Sequence, residues 1–201
     1  MRLLSKILSQ VINPLFIPLV GTVLYFLITP KYNTYETKRL VVLAVLILTV
    51  IIPLILFLLL KNLGWITGNE IETAKEKKIP LYIAIILIYI TFQKITTIDF
   101  SEELYFFFVG ILGALLSCLI MVYLNFKASI HAMAISALLV FILGLSFHYE
   151  TNITLGISAI IFVLGLVATI RLYLQKNDLS EIAVGVFLGG ITQFITFGYW
   201  L

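Results

Sequence analysis

Charged residues are scarce in this sequence, making up 11% of its 201 positions, where a soluble domain carries about 25%. Hydrophobic residues make up 62% and the mean hydropathy is +1.15. A chain this short cannot hide so much apolar surface in its own core, so the bilayer is its solvent. Cys118 is the one cysteine and lies within an apolar run, which excludes a disulfide framework and leaves the redox compartment unread. The net charge of +3 belongs to the loops. No basic stripe runs along the chain, so nucleic acid is excluded as an expected partner, and no metal or cofactor is expected. No segment recurs with a period of about 20–50 residues, and no soluble domain or low-complexity linker interrupts the chain. Residues 1–201 therefore read as a single transmembrane domain. The start, Met1 to Lys6, has the look of a secretory signal. It lacks a small-x-small cleavage site, and Pro14 and Pro18 interrupt its apolar run, so it is expected to be a retained first span.

What the chain has in plenty is long apolar runs. A membrane helix needs about 20 mostly apolar residues, and in lipid the helix satisfies its own backbone. On that rule the sequence predicts an all-α bundle of about seven transmembrane helices, near 11–29, 39–61, 80–98, 104–125, 129–147, 152–174 and 181–201. Asn13-Pro14 is a cap and first-turn proline for the first, Pro53 is expected to kink the second, and Pro80 to start the third. Small residues mark close helix contacts: Gly110, Gly113, Ala114 and Ser117 in the fourth span, Ala128, Ala132 and Ser136 in the fifth, and Gly185, Gly189 and Gly190 in the seventh.

Counting crossings decides which polar stretches can meet. The entrances of spans three, five and seven carry Lys75-Glu76-Lys77-Lys78-Ile79-Pro80, Lys127-Ala128-Ser129-Ile130-His131 and Arg171 to Glu181, and all three fall on one side with the N-terminus. The C-terminus and His148 fall on the other. Basic residues on the shared side, Arg2, Lys6 and Lys61 among them, outnumber Lys31, Lys38, Arg39 and Lys94 opposite. The positive-inside rule then makes the shared side cytoplasmic.

Helix N-termini are ready sites for anions. Lysines beside them oppose the dipole, so Lys77, Lys78 and Lys127 look misplaced unless an anion lies between them. Two anions fit: headgroup phosphates of the surrounding lipid, or a phosphate held in a built site. Ser129 is expected to cap the fifth helix, with His131 in its first turn. Arg171 is deep enough to need a partner, which Glu181 can supply, while Asp178 and Glu181 have capping-box spacing.

Together the three stretches resemble the type 2 phosphatidic acid phosphatases, membrane enzymes that remove phosphate from lipids. That family carries a basic stretch ending in proline, then Pro-Ser-Gly-His, then Ser-Arg-x5-His-x3-Asp. Here the second reads Ala128-Ser129-Ile130-His131 and the third reads Ile170-Arg171-x5-Asn177-x3-Glu181, with the spacing intact. The first, Lys75 to Pro80, is basic but has Ile79 where an arginine belongs. The likeness covers about residues 61–195 and is nearest to small bacterial relatives with Lys-x-Ser-x-His, matched by Lys127, Ser129 and His131. It implies a lipid-phosphatase-like fold in a bacterial inner (cytoplasmic) membrane. It also implies a phosphate-binding shell of Lys75, Lys78, Lys127, Ser129 and Arg171, with His131 as general acid and Glu181 orienting the nucleophile. Phosphatidate or a polyprenyl phosphate would be the lipid partner. The nucleophile position, histidine in the family, is Asn177. An amide is not among the side chains that form covalent intermediates. A phosphate-binding protein with weak or no activity is therefore expected first, ahead of an active lipid phosphatase and of a non-catalytic membrane subunit or lipid-binding protein.

Overall fold

The structure, a computed structural model, describes residues 13–31, 33–63 and 74–201, apart from the side chains of residues 74–77. The helices, in chain order, are α1 (Ile17–Ile28), α2 (Tyr35–Asn62), α3 (Ala74–Lys94), α4 (Glu102–Tyr123), α5 (Ile130–His148), α6 (Thr154–Tyr173) and α7 (Leu179–Trp200), and from α3 onward the connections are short. Five of them (α2, α4, α5, α6 and α7) are long and apolar enough to cross a membrane. That is a multi-pass α-helical membrane protein. The expected count of seven spans is not reached on length and composition among the described residues, because the first apolar helix, Pro14–Ile28, is shorter and α3 is not one of the five.

Prolines shape the first three helices, not always as the sequence suggests. Asn13 does cap the 3-10 turn Pro14–Phe16, its Oδ1 accepting from the Leu15 amide at 3.1 Å. Pro53 follows a π-helical turn, Ile47–Ile51, inside α2. A proline ring clashes with the carbonyl four residues back and offers it no hydrogen; the widened turn absorbs that defect. Pro80 does not start α3, which begins six residues earlier at Ala74 and carries the proline inside it. A proline removes one intrahelical bond without obliging the helix to end.

Three of the later helices end alike. Asn125, Glu150 and Gln175 sit at φ of 59°, 50° and 53°, just past the ends of α4, α5 and α6. The next amide in each case reaches back five residues: Phe126 to Met121, Thr151 to Ser146, Lys176 to Arg171. This left-handed closure satisfies the last carbonyls and turns the chain sharply.

The bundle is held by packing and not by withdrawal from water, since lipid is as apolar as the side chains. Phe107 of α4 stacks on Phe141 of α5 at 4.2 Å between ring centroids, both fully buried. The most extensive contact is between α5 and α7, and it is backbone against backbone. A methyl group added at Gly189 would lie 2.0 Å from the Met133 carbonyl oxygen, and one at Gly185 would lie 2.5 Å from that of Ser129. Ser136 Oγ donates to the Val186 carbonyl at 2.7 Å across the same seam. On the other flank of α7, Gln193 Nε2 donates to the Phe107 carbonyl at 2.8 Å, over Gly110.

Gly189→Ala should therefore destabilise the bundle by about 1–3 kcal/mol, the usual range for overpacking, as read by thermal unfolding in detergent. Gly198→Ala, where a methyl group meets nothing within 4 Å, should be neutral or slightly stabilising. Equal effects at the two glycines would contradict the close-approach seam.

Candidate functional site

The chain turns at Asn125 and Gln175 bring the α5 and α7 entrances side by side. The Ser129 amide donates to the Glu181 carbonyl at 3.0 Å, and Lys127 Nζ donates to the Lys176 carbonyl at 3.0 Å. From the exit of α6, Arg171 Nε donates to Asn177 Oδ1 at 2.9 Å. Asn177 Nδ2 in turn donates to Glu181 Oε2 at 2.6 Å. Glu181 Oε2 also accepts the Asp178 amide at 3.2 Å, as its half of a capping box. Glu181 thus caps α7 and accepts from Asn177 with the same carboxylate. Arg171 connects to Glu181 through the Asn177 side chain. An amide suits that place because one end accepts while the other donates.

This relay stands at one end of a cavity of about 490 Å³. Its walls come from α1 to α5 and are mostly Leu, Ile, Ala, Pro, Met and Phe; the polar lining is Asn13, Thr49, His131, Arg171 and Asn177, of which the last three belong to the polar end formed by the α5 and α7 entrances and the exit of α6. Cations at helix C-termini are favoured by the dipole, which suits Arg171 in the last turn of α6. The α5 and α7 entrances therefore meet in space, and Pro80 lines the same cavity.

The remaining expected residues are placed as follows. Ser129 occupies the N-cap position of α5, but its hydroxyl makes no capping bond. Its Oγ is buried without a hydrogen-bond partner. The cap expected of that hydroxyl is a correction: the amide of Ser129 is tied to α7 and its carbonyl is pressed against Gly185, so contact with α7 sets this residue's backbone. Lys127 braces the α6–α7 turn through the Lys176 carbonyl and does not line the cavity. Lys78 lies with its ammonium 4.2 Å from the centre of the Tyr123 ring, beside a 2.6 Å hydroxyl pair of Tyr82 and Tyr123. The side chains of Lys75 and Lys77 lie outside the described residues, as do Arg2 and Lys6.

At the opposite end lies a polar centre that no sequence motif announced. Glu103, in the first turn of α4, is 2% exposed. Its carboxylate accepts Lys31 Nζ at 2.6 Å and the Tyr149 hydroxyl at 2.5 Å. The Ser101 and Tyr25 hydroxyls lie 3.0 and 3.4 Å from its other oxygen. His148 Nε2 is 3.8 Å away. One carboxylate thus gathers α1, the α1–α2 turn, the start of α4 and the end of α5. The signal in the sequence was the acidic turn Asp99 to Glu103; the partners Tyr149, Lys31 and Tyr25 lie 46, 72 and 78 residues away. Burial, and then the hydrogen bond to Glu103, push the Tyr149 phenol above the ordinary tyrosine range.

No family model, curated protein or solved structure matches the chain. The class that the helices define is a multi-pass α-helical membrane protein.

Glu103→Ala should cost about 1–3 kcal/mol for each buried hydroxyl left without an acceptor, measured by unfolding in detergent. The Tyr149 phenol is held protonated in the folded state. Its contribution is therefore complete below the ordinary tyrosine pKa of about 10 and is lost as pH rises through the higher folded value. An alkaline unfolding midpoint unmoved by Tyr149→Phe would contradict that account.

Proposed function

We propose that this chain is a seven-helix, lipid-phosphatase-like protein of a bacterial inner membrane that holds the phosphate of a membrane lipid without cleaving it, or cleaves it only weakly. The observation that carries this reading is the cavity itself. An apolar chamber ends in a cation, an imidazole and an amide, with Arg171, His131 and Asn177 all on its wall. Such a site has a place for a hydrocarbon chain and a place for an anion. Arginine grips phosphate through a planar fork of donors, and one edge of Arg171 is already oriented by Asn177.

Asn177 also supports the absence of strong phosphatase activity. In the family that the three stretches resemble, phosphoryl transfer passes through a histidine at this position. Here the side chain has no basic lone pair and is engaged at both ends, by Arg171 and by Glu181. Loss of a nucleophile leaves binding and electrostatic effects, orders of magnitude below the intact mechanism. His131 would then contact the ligand phosphate or its ester oxygen as a hydrogen-bond partner, with no leaving group to protonate. Phosphatidate and polyprenyl phosphate both meet the requirement for an anionic head on an apolar tail.

The test is binding and turnover on purified protein in neutral nanodiscs. Phosphatidate or undecaprenyl phosphate should bind, and Arg171→Met should weaken binding at least tenfold, while Lys38→Met leaves it unchanged. Phosphate release should be absent or weak. Asn177→His, whose neutral ring again has one donor and one acceptor, should restore partial hydrolysis, and adding His131→Ala should remove it. Robust hydrolysis by the unmodified protein that survives His131→Ala would overturn the proposal.

A further inference from the structure

We infer that the cavity receives one hydrocarbon chain of a lipid from the leaflet on the His131 side, and that the chain ends near the bilayer midplane against Thr49, Ile88 and Ile111. This rests on the proposed anion site and adds the depth, the limit and the route of its ligand. The polar end is fixed by His131 and Arg171, near the start of α5 and the end of α6. From there the wall runs along α2 from Leu60 back to Leu48, and along α3 from Pro80 to Ile88. At a rise of 1.5 Å per residue those stretches are about 18 Å and about 12 Å long. Half of a hydrocarbon core is about 15 Å. The chamber is therefore one leaflet deep.

Among the described residues, its inner wall carries no free polar group that would hold a second headgroup or a sugar. Thr49 is the polar residue there, and its hydroxyl donates back to the Val45 carbonyl at 2.9 Å. The proline-linked π-helical turn places it on the wall; such widened turns often lie at functional sites. The way in is sideways. Leu54 lines the cavity and is also 50% exposed, and Ile55, Leu58 and Leu59 beside it are exposed as well. A residue on both surfaces marks a mouth, and this mouth opens along the apolar flank of α2. A lipid chain can slide in from the membrane, while its phosphate stays at the level of Arg171.

A chain that moves from bilayer to cavity exchanges one apolar medium for another, so it gains packing and little transfer free energy. The signature is therefore steric. In neutral nanodiscs, Thr49→Phe and Ile88→Phe should each weaken 1-palmitoyl lysophosphatidate at least tenfold, and leave the 1-octanoyl analogue within twofold. A palmitoyl lysophosphatidate with a photoreactive group at the chain end should label the unmodified protein at or beside Thr49 and Ile88. That arm does not depend on any variant folding. Labelling confined to outward residues such as Phe194 and Ile195 would overturn the inference. So would equal loss of both chain lengths, or inorganic phosphate binding as tightly as the lipid; in each case the anion site itself stands if Arg171→Met still weakens the phosphate probes. Failure of every phosphate probe to bind would overturn the anion site and the inference with it.

Discussion

The contact that the rest of the structure depends on is the backbone-to-backbone seam between α5 and α7. In a bilayer, helices gain nothing by hiding apolar surface from one another, so association rests on how closely their atoms can approach. Gly185 and Gly189 remove the side chains that would hold the two helices apart, leaving the carbonyls of Ser129 and Met133 against α7. Because those carbonyls belong to the first turns of α5, the seam also fixes the site. Ser129 bonds Glu181 through backbone atoms, which sets His131 and Asn177 on a common wall. A side chain at Gly189 would move the histidine and the Arg171–Asn177–Glu181 relay relative to each other without touching either.

The two ends of the bundle solve the same problem differently. Each must hold ionic groups at the edge of an apolar medium, where an unpartnered charge is costly. At the far end the partners converge on one carboxylate. Glu103 is surrounded by donors from three separate parts of the chain, and little surface is left for a ligand. At the near end the partners are strung in a line from Arg171 through Asn177 to Glu181. Two of the three, Arg171 and Asn177, line the cavity. The far end is a clasp, whereas the near end lies along the wall of a cavity.

Asn177 illustrates how one residue can be read in two ways that agree. By its place in the sequence, it is an amide where the resembled family carries a histidine. Within this structure it is a fitted connector, accepting from a guanidinium and donating to a carboxylate at once. The lysines are harder to read from sequence. Lys127 and Lys78 stood in the sequence as cations beside helix entrances, yet one is spent on a loop carbonyl and the other lies over an aromatic ring. A lysine reaches several ångströms in any direction, so its position in the chain says little about where its charge goes.

The sequence by itself determined the solvent, the approximate place of each apolar helix, the small-residue faces of α5 and α7, and the capping box at Asp178 and Glu181. Those follow from local rules: hydropathy over about 20 residues, side-chain size, and hydrogen bonds within one turn. The clasp around Glu103, the unpartnered hydroxyl of Ser129, the early start of α3 ahead of Pro80, and the cavity between the helices were decided by the tertiary structure alone. Glu103 and Lys31 are 72 residues apart, and no local pattern pairs them. A cavity is space left between helices, and its depth depends on how their side chains meet, which no single helix encodes.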